Sequence, residues 1–204
     1  MPVFSDAFAM LGISLVLCAG LLALLAVRGV AGAQVIWMKL LTVLCFALLW
    51  MPLGEAKIPV VAYVRGITAD LSITLIALAV WRIGQCVFGW RASSKQEQVT
   101  VMTAVAVAAL FLYPLALGWG DWDAYRPGWG SWGMLLALLA LCAACWAKGL
   151  WVLPSLVTLA LLAWTLDLME SGNLWDYLLD PWLSVFALSF VFIKCLRVFF
   201  RRLH

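Results

Sequence analysis

A backbone in lipid has no water to bond to, so a chain that commits long apolar runs to a bilayer is confined to helices or a closed barrel. This chain commits most of its length in that way. Apolar runs cover approximately residues 8–27, 35–51, 58–81, 99–117, 132–147, 150–168 and 177–200, most of them close to the ~20 residues with which a helix crosses a membrane. Between them nothing is long enough to make a separate soluble domain. The sequence therefore predicts an all-α, polytopic integral membrane bundle of about seven transmembrane helices, forming one domain over residues 1–204. Composition points the same way, with 67% hydrophobic and 11% charged residues, where a soluble domain has roughly half and a quarter. Only Lys148-Gly149 separates the fifth and sixth runs, which predicts an antiparallel hairpin. A re-entrant pair there would reduce the count to six.

The third run, IPVVAYVRGITADLSITLIALAVW, is the exception among these runs. It is entered through Pro59, which suits a first helical turn, and it holds Arg65 and Asp70 with Thr68, Ser72 and Thr74. Charges inside a membrane helix are costly and face protein or a wet cavity. As one continuous helix, it would put Arg65, Thr68 and Ser72 on one face and Gly66, Asp70 and Thr74 on the next. Arg65 and Asp70 would then sit about 140° apart in projection, an awkward angle for a direct pair, so Asp70 asks for a partner on another helix.

Charge sets the orientation. With the amino terminus outside and the carboxyl terminus inside, the cytoplasmic side receives ten of the 13 basic residues: Arg28, Lys39, Arg82, Arg91, Lys95, Lys148, Lys194, Arg197, Arg201 and Arg202. The outer side keeps Lys57, Arg65 and Arg126, the asymmetry of the positive-inside rule. A secretory signal has a basic start, whereas the first run begins with Ser5 and Asp6 and carries Arg28 afterwards, so it reads as a retained helix. Ala31-Gly32-Ala33 reads as a loop rather than a cleavage site.

Several chemistries are excluded. The only histidine is His204, which leaves no His-based zinc or haem site and no base for the Gly-x-Ser-x-Gly-like string Gly128–Gly133. The six cysteines lie within or at the ends of apolar runs and read as packing, including Cys142-x-x-Cys145. Phosphate-loop and dinucleotide fingerprints are absent. No cofactor, no metal and no nucleic-acid partner is expected.

The remaining ionisable groups gather on the predicted outer rim. There the loop GWGDWDAYRPGWGSWG and the loop LDLMESGNLWDYLLDPW bring indoles suited to the membrane–water boundary. The candidate ligand-binding set is Arg65, Asp70, Ser72, Thr74, Asp121, Asp123, Arg126, Glu170, Asp176 and Asp180. Three readings follow. The protein, a multi-pass component of a bacterial inner membrane, binds or handles a membrane lipid, lipid-linked or amphipathic envelope component, alone or as the membrane subunit of a larger assembly with a membrane-protein partner. Alternatively Asp70 couples a small transporter to protons or ions. In the third, a membrane-embedded transferase uses outer carboxylates, with Asp121 and Asp123, or Asp176 and Asp180, on a hard cation. The balance leans away from an enzyme.

Overall fold

The computed structural model describes residues 2–27 and 35–203; the expected loop at Ala31-Gly32-Ala33 lies outside the described residues. The described residues are mostly helical: α1 (Pro2–Val27), α2 (Val35–Leu49), α3 (Val60–Thr68), α4 (Ile73–Phe88), α5 (Lys95–Ala116), α6 (Trp132–Ala147), α7 (Val152–Thr165), α8 (Leu174–Leu178) and α9 (Pro181–Leu203). A two-residue ribbon, β1 (Pro52–Leu53) with β2 (Ile58–Pro59), joins α2 to α3. Three segments, Phe4–Leu25, Lys95–Ala116 and Pro181–Phe200, are long and apolar enough to cross a membrane, and four shorter apolar helices accompany them. Large apolar side chains such as Leu24, Val43, Leu139 and Phe192 stand exposed on these helices, a surface that suits lipid and not water.

The chain divides into two compact units. The first holds α1 to α4 and the segment Leu166–Glu170. Its spine is the pairing of α1 with α4, where Cys18, Ala19 and Leu22 meet Ala79, Ile83 and Val87. Small residues let the backbones approach: a Cβ on Gly12 would lie 2.4 Å from Ile76 Cδ1. Position rises along both helices together, so α1 and α4 run in the same direction. Helix α2 runs against α1, since Trp50 Nε1 donates to the buried Ser14 Oγ at 3.1 Å while Cys18 lies against Thr42.

The continuous helix expected over 58–81 is broken. Helix α3 stops at Thr68, Ala69 takes φ 57°, and α4 starts only at Ile73. Thr68, Asp70 and Ser72 have side chains that compete for backbone groups, which favours a helix end. Thr68 Oγ1 bonds back to the Val64 carbonyl, and Ser72 Oγ caps α4 by accepting from Leu75 N at 3.2 Å. A non-glycine residue at this φ costs on the order of 1–3 kcal/mol and persists only where its surroundings hold it.

The second unit contains Ser93–Thr165 and Ser171–His204. A capping box, Ser94 with Glu97, starts α5. Helix α5 packs on α9, with Tyr113 near the end of one beside Ser184 near the start of the other. The predicted hairpin of α6 and α7 is present, turned by Gly149 at φ 68° and closed by Leu150 N on the Cys145 carbonyl. Helix α7 buries Leu153, Leu156, Val157, Ala160 and Ala163, one face at helical spacing. The last apolar run is also divided: α8 ends at Leu178, and Asp180 caps α9 by accepting from Leu183 N at 2.8 Å.

Candidate functional site

The ten sequence candidates fall into two groups, one in each unit. In the first unit Arg65 is the hub. Its Nε donates to Asp70 Oδ1 at 2.8 Å, one terminal nitrogen to Asp6, and the other to Glu170 Oε1 at 3.0 Å. The direct pair with Asp70 becomes possible because the chain leaves the helix between the two residues. Each guanidinium nitrogen therefore has its own carboxylate, and Arg65 joins α1, α3, the break and the segment Leu166–Glu170. Ser72 and Thr74 lie buried beside the break, at 0% and 4% exposure, where Ser72 serves as a cap.

In the second unit the two aromatic loops are joined. Asn173, fully buried, donates through Nδ2 to the Tyr125 carbonyl at 3.0 Å and accepts on Oδ1 from Trp175 N at 2.9 Å. Trp175 Nε1 donates to the Ala124 carbonyl, and Tyr125 Oη donates to Asp176 Oδ2 at 2.6 Å. Ser171 Oγ also contacts Asp176. A Cβ on Gly128 would fall 1.8 Å from Asn173 Oδ1, so only glycine lets the 3-10 turn Arg126–Trp129 lie this close. Burial first, and then the Asp176 carboxylate, raise the Tyr125 phenol from 10.0 to about 12. Asp176 thus ties the two loops together through Tyr125, and Asp180 caps α9, so the two are engaged separately rather than paired as cation ligands. Among the described residues no group of three or more His, Cys, Asp or Glu is placed to hold a metal ion. Asp121 is exposed and joins neither cluster.

Asp123 and Arg126 have a different setting. Asp123 Oδ1 accepts from the backbone N–H of Tyr125 and of Arg126. With Trp122, Trp129, Gly130 and Ser131 the two residues line a pocket of about 500 Å³. Beside it an apolar groove of about 930 Å³ runs along α5 and α6, past Val99, Ala104, Ala108, Gly133 and Ala137. Leu153 of α7 also lines this groove. The two cavities share Trp122, Pro127 and Ser131 as walls.

Sequence reading missed Asp6 as a partner of Arg65 and Asn173 as the join between loops. The signals were present: Asp6 is an acid at the predicted outer end of the first run, and Asn173 precedes an apolar residue after Gly172, a usual helix-cap pattern. No protein-family model matches the chain, and no curated protein or solved structure matches it.

Two predictions follow from these clusters. Removing the cation by Arg65→Gln leaves three carboxylates without it and is expected to cost about 2 kcal/mol or more in reversible detergent unfolding. Among the carboxylates the loss should follow exposure, with Asp70→Asn (20% exposed) worse than Asp6→Asn (45%) and Glu170→Gln (61%) close to neutral. The Tyr125 phenol is raised by folding, so the stability it contributes is complete below pH 10.0 and is lost as pH rises through about 12. Wild type should therefore lose stability more steeply than Tyr125→Phe across that alkaline window, measured as unfolding midpoint against pH.

Proposed function

We propose that this chain is a multi-pass protein of a bacterial inner membrane, with its amino terminus outside, about seven crossings and an outward-facing site for a lipid-linked or amphipathic envelope component. The observation that carries the reading is the adjacency, within the second unit, of a long apolar groove and a pocket holding Asp123 and Arg126. A ligand with a polar head and an apolar tail matches that division, since apolar lining supplies affinity and a few polar groups fix the head. The unequal distribution of the basic residues supports the proposed orientation, and the common direction of α1 and α4, with Asp6 at the start of α1 against Arg65, is consistent with the alternation of crossings that it requires. On this reading Arg126 grips the anionic part of the ligand, and Arg65 maintains the fold.

Purification in native-lipid particles followed by mass spectrometry tests it. A stoichiometric amphiphile should accompany the wild type and be lost from Arg126→Ala while Arg65-dependent stability is unchanged. A stoichiometric protein partner without such a lipid would instead favour an assembly subunit.

The broken helix favours a second reading, because helices interrupted at a carboxylate are a transporter device. If Asp70 couples transport, reconstituted protein will show uptake driven by a pH or ion gradient that Asp70→Asn removes. Gradient-independent behaviour counts against it.

A further inference from the structure

We infer that the site in the second unit takes a zwitterionic glycerophospholipid with a phosphoethanolamine head, one acyl chain lying in the groove along α5 and α6. The inference rests on the amphiphile reading above and narrows it to a ligand class. The pocket presents both signs of charge. Among the described residues the Arg126 guanidinium has no carboxylate within ion-pair distance, the three ion pairs found all belonging to Arg65. Asp123 uses Oδ1 on backbone N–H groups, which leaves Oδ2 open to a second donor. A purely anionic head would bring like charge against Asp123, and a purely cationic one would meet Arg126; such like-charge mismatches are a source of discrimination. A phosphate on the Arg126 fork, with a primary ammonium on Asp123 Oδ2, satisfies both. Trp122 and Trp129 line the same pocket, and indole faces attract an ammonium.

The tail matches as well. Trp122 meets Phe111 of α5 with ring centroids 5.5 Å apart, so the head end of the groove is at Phe111 and the far end at Val99. At 1.5 Å per residue that stretch of α5 is about 18 Å long. One leaflet of a bilayer with a core of ~30 Å is of similar depth, and one acyl chain spans it.

The test reconstitutes the full-length protein in vesicles of equal phosphatidylethanolamine and phosphatidylglycerol, re-extracts it gently, and measures bound lipid by native mass spectrometry. Phosphatidylethanolamine should be enriched about threefold, the discrimination that one exposed charge pair provides. Asp123→Asn should remove the preference while retention persists, and Arg126→Gln should lower retention of both lipids. Gly133→Phe fills the groove from a position where an added Cβ meets nothing within 4 Å, and should abolish retention in folded protein. Should it fail to fold, Ala137→Leu, one turn along α6, serves the same purpose. Equal or greater retention of phosphatidylglycerol, or a preference that survives Asp123→Asn, overturns the head assignment and leaves the amphiphile reading intact. Retention indifferent to the groove-filling variants overturns both.

Discussion

A guanidinium among apolar helices needs compensation on every side, and the first unit is arranged around that need. Arg65 cannot lose its proton, and its five donors point in fixed directions. Three carboxylates from three separate stretches meet it. Only a chain that leaves the helix after Thr68 can bring Asp70 back to the Nε side, so the ion pair and the break are one feature. The positive φ at Ala69 is the strain this geometry carries, and the buried Ser72 cap restarts the helix. A pair built this way is poor evidence of net stabilisation, because desolvation offsets much of the attraction.

The second unit solves a different problem. Its two loops carry many polar backbone groups and indoles; the buried Asn173 joins them by donating to the Tyr125 carbonyl, while its bonds with Ser171 and Trp175 hold its own loop in shape. With the loops fixed, α6 leaves the 3-10 turn in a set direction, with Ser131 as its cap. The short Gly149 turn then keeps α6 against α7. Helix α5 packs chiefly on α9 and α7, which leaves space along α5 and α6. Alanines, threonines and Gly133 line that space and are too small to close it. The groove is thus a consequence of loop geometry and residue size together.

Helical class, the hairpin at Lys148-Gly149 and most helix limits were legible because apolar periodicity and glycine turns act locally. The break at 69–72 was not, since nothing in TADLS forbids a helix outright; Thr68, Asp70 and Ser72 only favour a helix end, and the Arg65–Asp70 pair that accompanies the break is not visible in a pattern of residue types. Asp176 and Asp180 looked like a pair one turn apart, but Leu179 and Asp180 lie between two helices, so Asp176 bonds Tyr125 of the other loop while Asp180 caps α9. Arg65 was the conspicuous residue because it stood in an apolar run. Arg126 was less so, among glycines and tryptophans, where a charge costs little. The groove itself has no sequence signature, because it depends on which of several apolar helices pack together.

Conspicuousness and availability are opposed here for a physical reason. A charge placed deep in apolar surroundings persists only when paired, so the residue that stands out in a sequence is the one whose charge the fold has already compensated, as the three carboxylates on Arg65 do. For a ligand anion to reach Arg65 it would have to displace Asp70, Asp6 or Glu170 and leave that carboxylate without its cation. At the loop end of the second unit the cost of an exposed guanidinium is small, which is why Arg126 can stand without a carboxylate partner. A binding site needs donors held in place but not yet satisfied. The backbone bonds from Tyr125 and Arg126 to Asp123 meet that condition, since they fix the turn without using the guanidinium.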